Sequence, residues 1–268
     1  MKPYIFGLLL MLLAACRTGT TETPLPTGTP PPVVTVQPSD TPAPTLTPAP
    51  PTATSLPTEA VTPTAAGPAT PDPNLGVGDV VYEDRLDGSS GWEWLFEDSA
   101  ATFSVNGGQL NAVMKQGNVG PRFSVREDIK VGDQQLRVTA RPNLCYERDE
   151  YGVMFRMVVD SQNNYHGYIF KLNCGGQARV ERLENVETIP LADWTPSPVI
   201  VPGAPAENTL MIWMAKDQLH FYVNDKHLFS VKDATYAEGF YGFYVRDRTN
   251  GGESVSFVNL VAKEVKLP

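Results

Sequence analysis

Residues 17–75 decide where this chain can fold. Among those 59 positions 16 are Thr and 16 are Pro, and none is aromatic. Such a stretch cannot bury enough apolar surface to offset the entropy of ordering it. Proline at this density favours extended polyproline geometry, so the segment reads as a disordered stalk with a reach on the order of 180 Å at ~3.1 Å per residue. Thr-Pro repeats with few charges also suit O-glycosylation. The folded part is therefore confined to residues 76–268, which hold all four tryptophans. That length is ample for one well-filled core.

Charge narrows the partners. The formal net charge is −9. Before residue 76 lie Lys2 and Arg17 against Glu22, Asp40, Glu59 and Asp72, which leaves −7 for the rest. An acidic domain with dispersed bases argues against nucleic acid and against electrostatic docking on a membrane surface.

Ahead of the stalk, Lys2 precedes an apolar run from Ile5 to Leu13, followed by Ala14, Ala15 and Cys16. The run reads as a signal peptide, residues 1–15, and is too short to span a bilayer. Leu13-Ala14-Ala15-Cys16 resembles the lipobox of bacterial lipoproteins. That resemblance implies diacylglycerol on the Cys16 thiol, cleavage before it, and a stable anchor of two or three acyl chains. The expected location is the outer face of a bacterial membrane, with the domain extracytoplasmic and residues 16–75 as the tether.

From residue 79 the hydrophobic period is two. Val153-Phe155-Met157, Leu219-Phe221-Val223 and Tyr241-Phe243-Val245 alternate with intervening residues, as half-buried strands do. Turn signals recur at Asn106-Gly107-Gly108, Asn173 to Gly176, Asn224-Asp225 and Asn250-Gly251-Gly252, and Asn224-Asp225 predicts a tight hairpin. No window sustains a helical period. The fold class is all-β, a sandwich or barrel of short antiparallel strands. Residues 190–206 carry five prolines and read as a long connection between strands.

Cys145 and Cys174 each follow a strand-like run. In an oxidising exterior this pair reads as a disulfide worth roughly 3–4 kcal/mol in the chain-entropy model. As zinc ligands the two thiols lack suitably spaced histidines.

The order of several motifs carries a resemblance. Trp92 follows Tyr82-Glu83-Asp84 and Ser90-Gly91. Tyr151 to Arg156, Asn164 to Phe170, Asp193-Trp194-Thr195-Pro196, Asn208-Thr209-Leu210, Leu219 to Asn224 and Gly239 to Tyr244 come after it. This succession resembles the concanavalin A-like lectin and glucanase jelly rolls, the superfamily that includes laminin-G-like domains and the 3-keto-disaccharide hydrolase domain. The resemblance implies two curved antiparallel sheets, with any ligand on the concave face or its rim. It also implies that Trp92 and Trp194 are buried packing anchors.

Catalytic signals are weak. Sandwich glucanases place Glu-x-Asp-x-x-Glu on one strand, so that its carboxylates share a face. The nearest string here, Glu147-Arg148-Asp149-Glu150-Tyr151-Gly152, ends in Gly and reads as a solvated turn. His166, His220 and His227 are scattered in strand patterns and read as structural. No nucleophile elbow, phosphate loop, zinc-protease motif or calcium loop is present. No cofactor is expected; a structural calcium, which related sandwiches often hold, has no ligand set in the sequence.

A binding face is the remaining candidate. With Phe155, Phe221 and Phe243 inward, the opposite face presents Arg156, Trp213, Tyr222, Tyr244 and Arg246. With Tyr168 and Phe170 inward, Tyr165 and Lys171 point outward. Flat rings with fixed polar partners suit the C–H faces and hydroxyls of sugars. The expected function is non-catalytic glycan binding. The alternatives are a hydrolase of the keto-disaccharide type and an adhesive or structural ectodomain that binds protein.

Overall fold

The computed structural model describes residues 69–88 and 95–267. Cys16 and Trp92 lie outside the described residues. Among those described there are fifteen strands and no helix.

The strands form two antiparallel sheets. The larger runs β13 (Lys226–Lys232), β12 (Gln218–Val223), β11 (Asn208–Ala215), β6 (Gln134–Leu144), β15 (Ser254–Val265), β4 (Gln109–Met114), β3 (Ala101–Asn106) and β2 (Phe96–Glu97). The first strand, β1 (Val77–Asp84), pairs with the second half of β15, beyond the end of β4. The smaller sheet runs β10 (Glu187–Pro196), β9 (Gln177–Glu184), β8 (Tyr165–Asn173), β7 (Glu150–Val159), β14 (Gly239–Arg246) and β5 (Arg122–Val131). Long-range neighbours such as β6 beside β15 and β7 beside β14 make the arrangement a jelly roll, as the resemblance implied.

The core lies between the sheets and is rich in phenylalanine. Phe243 of the smaller sheet stacks on Phe257 of the larger at 4.3 Å, and Phe170 meets Phe221 at 4.8 Å. Each such ring contributes roughly 1.5–3 kcal/mol by leaving water, and each pair about 0.5–1.5 kcal/mol more. Cys145, just after β6, is bonded to Cys174, just after β8, with Cα atoms 6.0 Å apart. The disulfide therefore ties one sheet to the other. Asn224 and Asp225 both adopt left-handed backbone, φ 50° and 63°, and close the β12–β13 hairpin predicted for them.

The proline-rich stretch departs from expectation. Residues up to Pro196 form β10, an edge strand that includes Pro190 and is broken by two register shifts against β9. An edge strand needs partners on one side only, so its prolines remove no ladder bond on the solvent side.

Residues 71–75, expected to belong to the stalk, lie on the outer face of the larger sheet. Tyr222 donates to the Pro71 carbonyl at 3.0 Å, Gln135 to that of Pro73 at 2.7 Å, and the Trp213 indole to that of Leu75 at 2.9 Å.

Candidate functional site

Alternation sorts the smaller sheet cleanly. On β8, Tyr168, Phe170 and Leu172 enter the core, so Tyr165, Ile169 and Lys171 face outward. On β14, Tyr241, Phe243 and Val245 enter the core and Phe240, Tyr244 and Arg246 face outward. These outward residues other than Phe240, with Phe123 of β5 and Leu183 of β9, floor a cleft of about 650 Å³. Turns at Asn163-Asn164 and Asn185-Val186 rim it. The floor is partly apolar: Phe123 meets Tyr165 edge-on at 5.1 Å, and Tyr165 meets Phe240 at 6.1 Å.

At one end of the cleft the floor is ionic. Lys171 Nζ lies 2.9 Å from Glu150 and 2.9 Å from Glu181, and all three side chains are almost fully buried. Arg248 reaches Glu150 at 2.6 Å, and Arg179 reaches Glu181 at 2.7 Å. Tyr244 donates to Glu150 at 3.0 Å, and its ring centre is 5.2 Å from Lys171 Nζ. Burial would raise the Glu150 carboxyl, but Lys171 and Arg248 together hold it below its ordinary value. Burial, then the Glu150 charge, pushes the Tyr244 phenol well up. Burial and Glu127, which accepts its hydroxyl at 3.2 Å, push Tyr165 up to about 12.

Gly152 makes this packing feasible. It sits opposite Tyr244 on one side and Lys171 on the other. A Cβ there would stand 2.9 Å from that of Lys171 and closer still to the Phe170 carbonyl. Any side chain at this position would displace the lysine from its two carboxylates.

Arg246 differs from the other cations. It closes β14 opposite Glu150 in the ladder, yet it makes no ion pair among the described residues, and its Nε is buried with no hydrogen-bond partner. Trp194 stands half-buried on β10, with Lys171 Nζ 5.5 Å and the Arg179 guanidinium 5.8 Å from its ring centre. It borders the ionic end of the cleft, where the resemblance implied a buried anchor.

Of the seven binding residues expected from the sequence, the cleft unites Tyr165, Lys171, Tyr244 and Arg246. The other three belong elsewhere. Arg156 is 0% exposed. It occupies a bulge in β7 with φ 48°, which turns it toward the end of the sandwich after Phe155 has already pointed inward. There it bonds Asp133 at 2.9 Å, the Lys216 carbonyl at 3.0 Å and the Tyr236 carbonyl at 3.2 Å. Trp213 and Tyr222 lie on the larger sheet, under residues 71–75, each 1% exposed.

The string Glu147–Gly152 also departs from expectation. Asp149 and Glu150 are buried, and Glu150 begins β7 at the centre of the ionic network. Beside them Glu253 is 0% exposed and makes no ion pair among the described residues. Burial, with Asp149 and Asp247 adding to it, raises its carboxyl well above the usual range. Glu181 and Arg179 of β9 were missed in the sequence. Their signal was a charge alternation within an otherwise ordinary strand.

No protein-family model and no curated protein matches the sequence. Solved structures do match in fold. The CBM66 carbohydrate-binding module of Bacillus subtilis superposes with a TM-score of 0.50 at 16% identity, covering 61% of this chain and 92% of that one. The chain has a concanavalin A/galectin-like fold. A Bacillus subtilis protein of unknown function with a galectin-like fold gives 0.54 at 11% identity, covering 72% and 99%. The kappa-carrageenase of Pseudoalteromonas carrageenovora, solved with an oligotetrasaccharide of kappa-carrageenan, gives 0.51 at 9% identity, covering 76% and 99%.

Proposed function

We propose that this protein is a non-catalytic carbohydrate-binding module, with its sugar seated in the cleft of the smaller sheet. The observation that carries this reading is the cleft floor itself. The half-buried ring of Tyr165 in the floor and that of Trp194 at its border adjoin hydrogen-bonding groups held rigid by the Lys171–Glu150–Glu181 network. A sugar ring offers an apolar C–H face and an equatorial hydroxyl edge, and such a floor meets both. The fold likeness to a carbohydrate-binding module supports the same reading.

Hydrolysis is the weaker reading. Glu150 and Glu181 converge on one lysine, as a pair of catalytic carboxylates would need to converge on a glycosidic bond. A general acid, however, needs a raised pKa and access to the leaving oxygen. Glu150 is buried and its carboxyl is lowered.

The proposal includes the tether. Lipid on Cys16 and the Thr/Pro segment would hold the module outside a bacterial cell, clear of surface polymer. Palmitate labelling that disappears in Cys16→Ser tests the anchor. A glycan array and calorimetry on the chain from residue 16 onward, with Cys16→Ser for solubility, test the module. Binding that is lost in the double variant Tyr165→Ala, Trp194→Ala, with no release of reducing ends, is the expected result. Absence of signal with every sugar, or capture of a protein partner through the same cleft, would replace the glycan reading.

A further inference from the structure

We infer that the sugar bound in this cleft is anionic, a uronate or a sulfated residue, and that Arg246 receives its charged group. The inference rests on the proposed glycan-binding function and narrows it to a ligand class.

The charges in the cleft leave one cation over. Lys171 is shared between Glu150 and Glu181, Arg248 is held by Glu150, and Arg179 is held by Glu181 with Asp193 at 3.5 Å. Arg246 stands on the same floor without a matching carboxylate among the described residues, and its buried Nε lacks an acceptor. A guanidinium does not shed its proton at any ordinary pH, so this donor stays charged. Arg246 is thus the cation of this sheet face without an ion pair among the described residues, and its guanidinium is open to an acceptor supplied from outside.

The chemistry of that acceptor follows from the fork. A neutral hydroxyl can accept one hydrogen bond but leaves the charge uncompensated. A carboxylate or sulfate presents two or three oxygens at the spacing of the guanidinium N–H groups and compensates the charge as well. Tyr165, half-buried in the same cleft lining, supplies a ring for the sugar that carries the anion. The chain's net charge of −9 opposes a polyanion at a distance. Screening over about 8 Å at physiological salt leaves the contact to be decided locally.

The test compares matched pairs of sugars on the chain from residue 16 onward carrying Cys16→Ser. One pair is galacturonan and galactan oligosaccharides; the other is sulfated and unsulfated galactan oligosaccharides. The wild-type cleft is expected to bind at least one anionic member about tenfold or more tightly than its neutral partner, a difference of about 1.4 kcal/mol. The two arms distinguish carboxylate from sulfate. Arg246→Gln brings the anionic-to-neutral ratio close to one, and Arg246→Lys, which keeps the charge but loses the fork, gives an intermediate ratio. Circular dichroism confirms that both variants fold. Equal affinity for neutral and anionic partners in the wild type overturns the inference while leaving glycan binding intact, as does a ratio unchanged by Arg246→Gln. Binding to no sugar overturns both.

Discussion

The two outer faces of the sandwich begin from the same kind of sequence. Trp213 and Tyr222 on the larger sheet, like Tyr165 and Tyr244 on the smaller, are aromatic residues set outward by strand alternation. On the larger sheet the chain's own residues 71–75 run across the rings and take their polar ends through main-chain carbonyls. On the smaller sheet no described segment crosses the rings, and the polar ends are taken by Glu127 of β5 and Glu150 of β7. An aromatic strand face is thus open to a ligand only when the chain does not cover it. Coverage depends on where the preceding segment is led, and not on the strand that bears the rings.

The largest expected effect tests what holds the open face together. Lys171→Met removes the cation that Glu150 and Glu181 share, leaves each buried carboxylate with one partly exposed arginine, and should cost about 3 kcal/mol in urea denaturation. A loss under about 1 kcal/mol would mean that the ionic network does not organise the cleft.

Removing the cover tests the other face. Deletion of residues 69–75 removes three hydrogen-bond acceptors and bares Trp213, with an expected loss of about 2–3 kcal/mol and a red shift of tryptophan emission. If the bared face then binds the sugars that the cleft binds, the contrast between the faces is one of access alone.

Glu253 and Glu150 provide a comparison in pH. The Glu253 carboxyl is raised above its ordinary value of 4.5 in the folded state, so the native chain holds a proton that the unfolded chain releases. Its contribution to stability is present below that ordinary value and is lost as the pH rises toward the folded one. Glu150 has the opposite sign: its lowered value stabilises above the ordinary range and is lost on acidification through the folded value. Glu253→Gln should therefore raise the melting temperature at pH 8 and change it little at pH 4. An equal change at both pH values would show that Glu253 is not protonated preferentially in the fold.

The smallest effect concerns a half-exposed hydroxyl. Tyr165→Phe loses the bond to Glu127 and should change stability by no more than about 1 kcal/mol. Sugar affinity, measured by calorimetry, should fall only slightly, because the ring face remains. A large fall would move the recognition from ring to hydroxyl.

Strand alternation was legible wherever ladders were regular. Tyr165, Lys171, Tyr244 and Arg246 were placed outward correctly because β8 and β14 keep a strict period of two through those positions. Arg156 was misplaced because one bulge residue reverses the facing of a strand, and its left-handed backbone carries no glycine or asparagine to announce it. Trp213 and Tyr222 faced outward as expected but on the other sheet, since alternation fixes a side of a strand and is silent on which sheet the strand joins. Glu150 escaped notice because it is the first residue of β7, where a charged string looks like a solvated turn until its cross-strand partners are known. Glu181 and Arg179 become a site only once β8 sets Lys171 between them and Glu150.

By itself the sequence determined that the core is made of alternating strands and that Cys145 and Cys174 can be joined. These follow from composition, periodicity and residue chemistry, which are local quantities. Tertiary structure alone decided that one aromatic face is covered and the other open, that three cations and two buried carboxylates interlock, and that the Arg246 side chain has no ion pair among the described residues. Those depend on which strands become neighbours and in what register, and pairing across long stretches of chain is set by the whole core rather than by any segment of it.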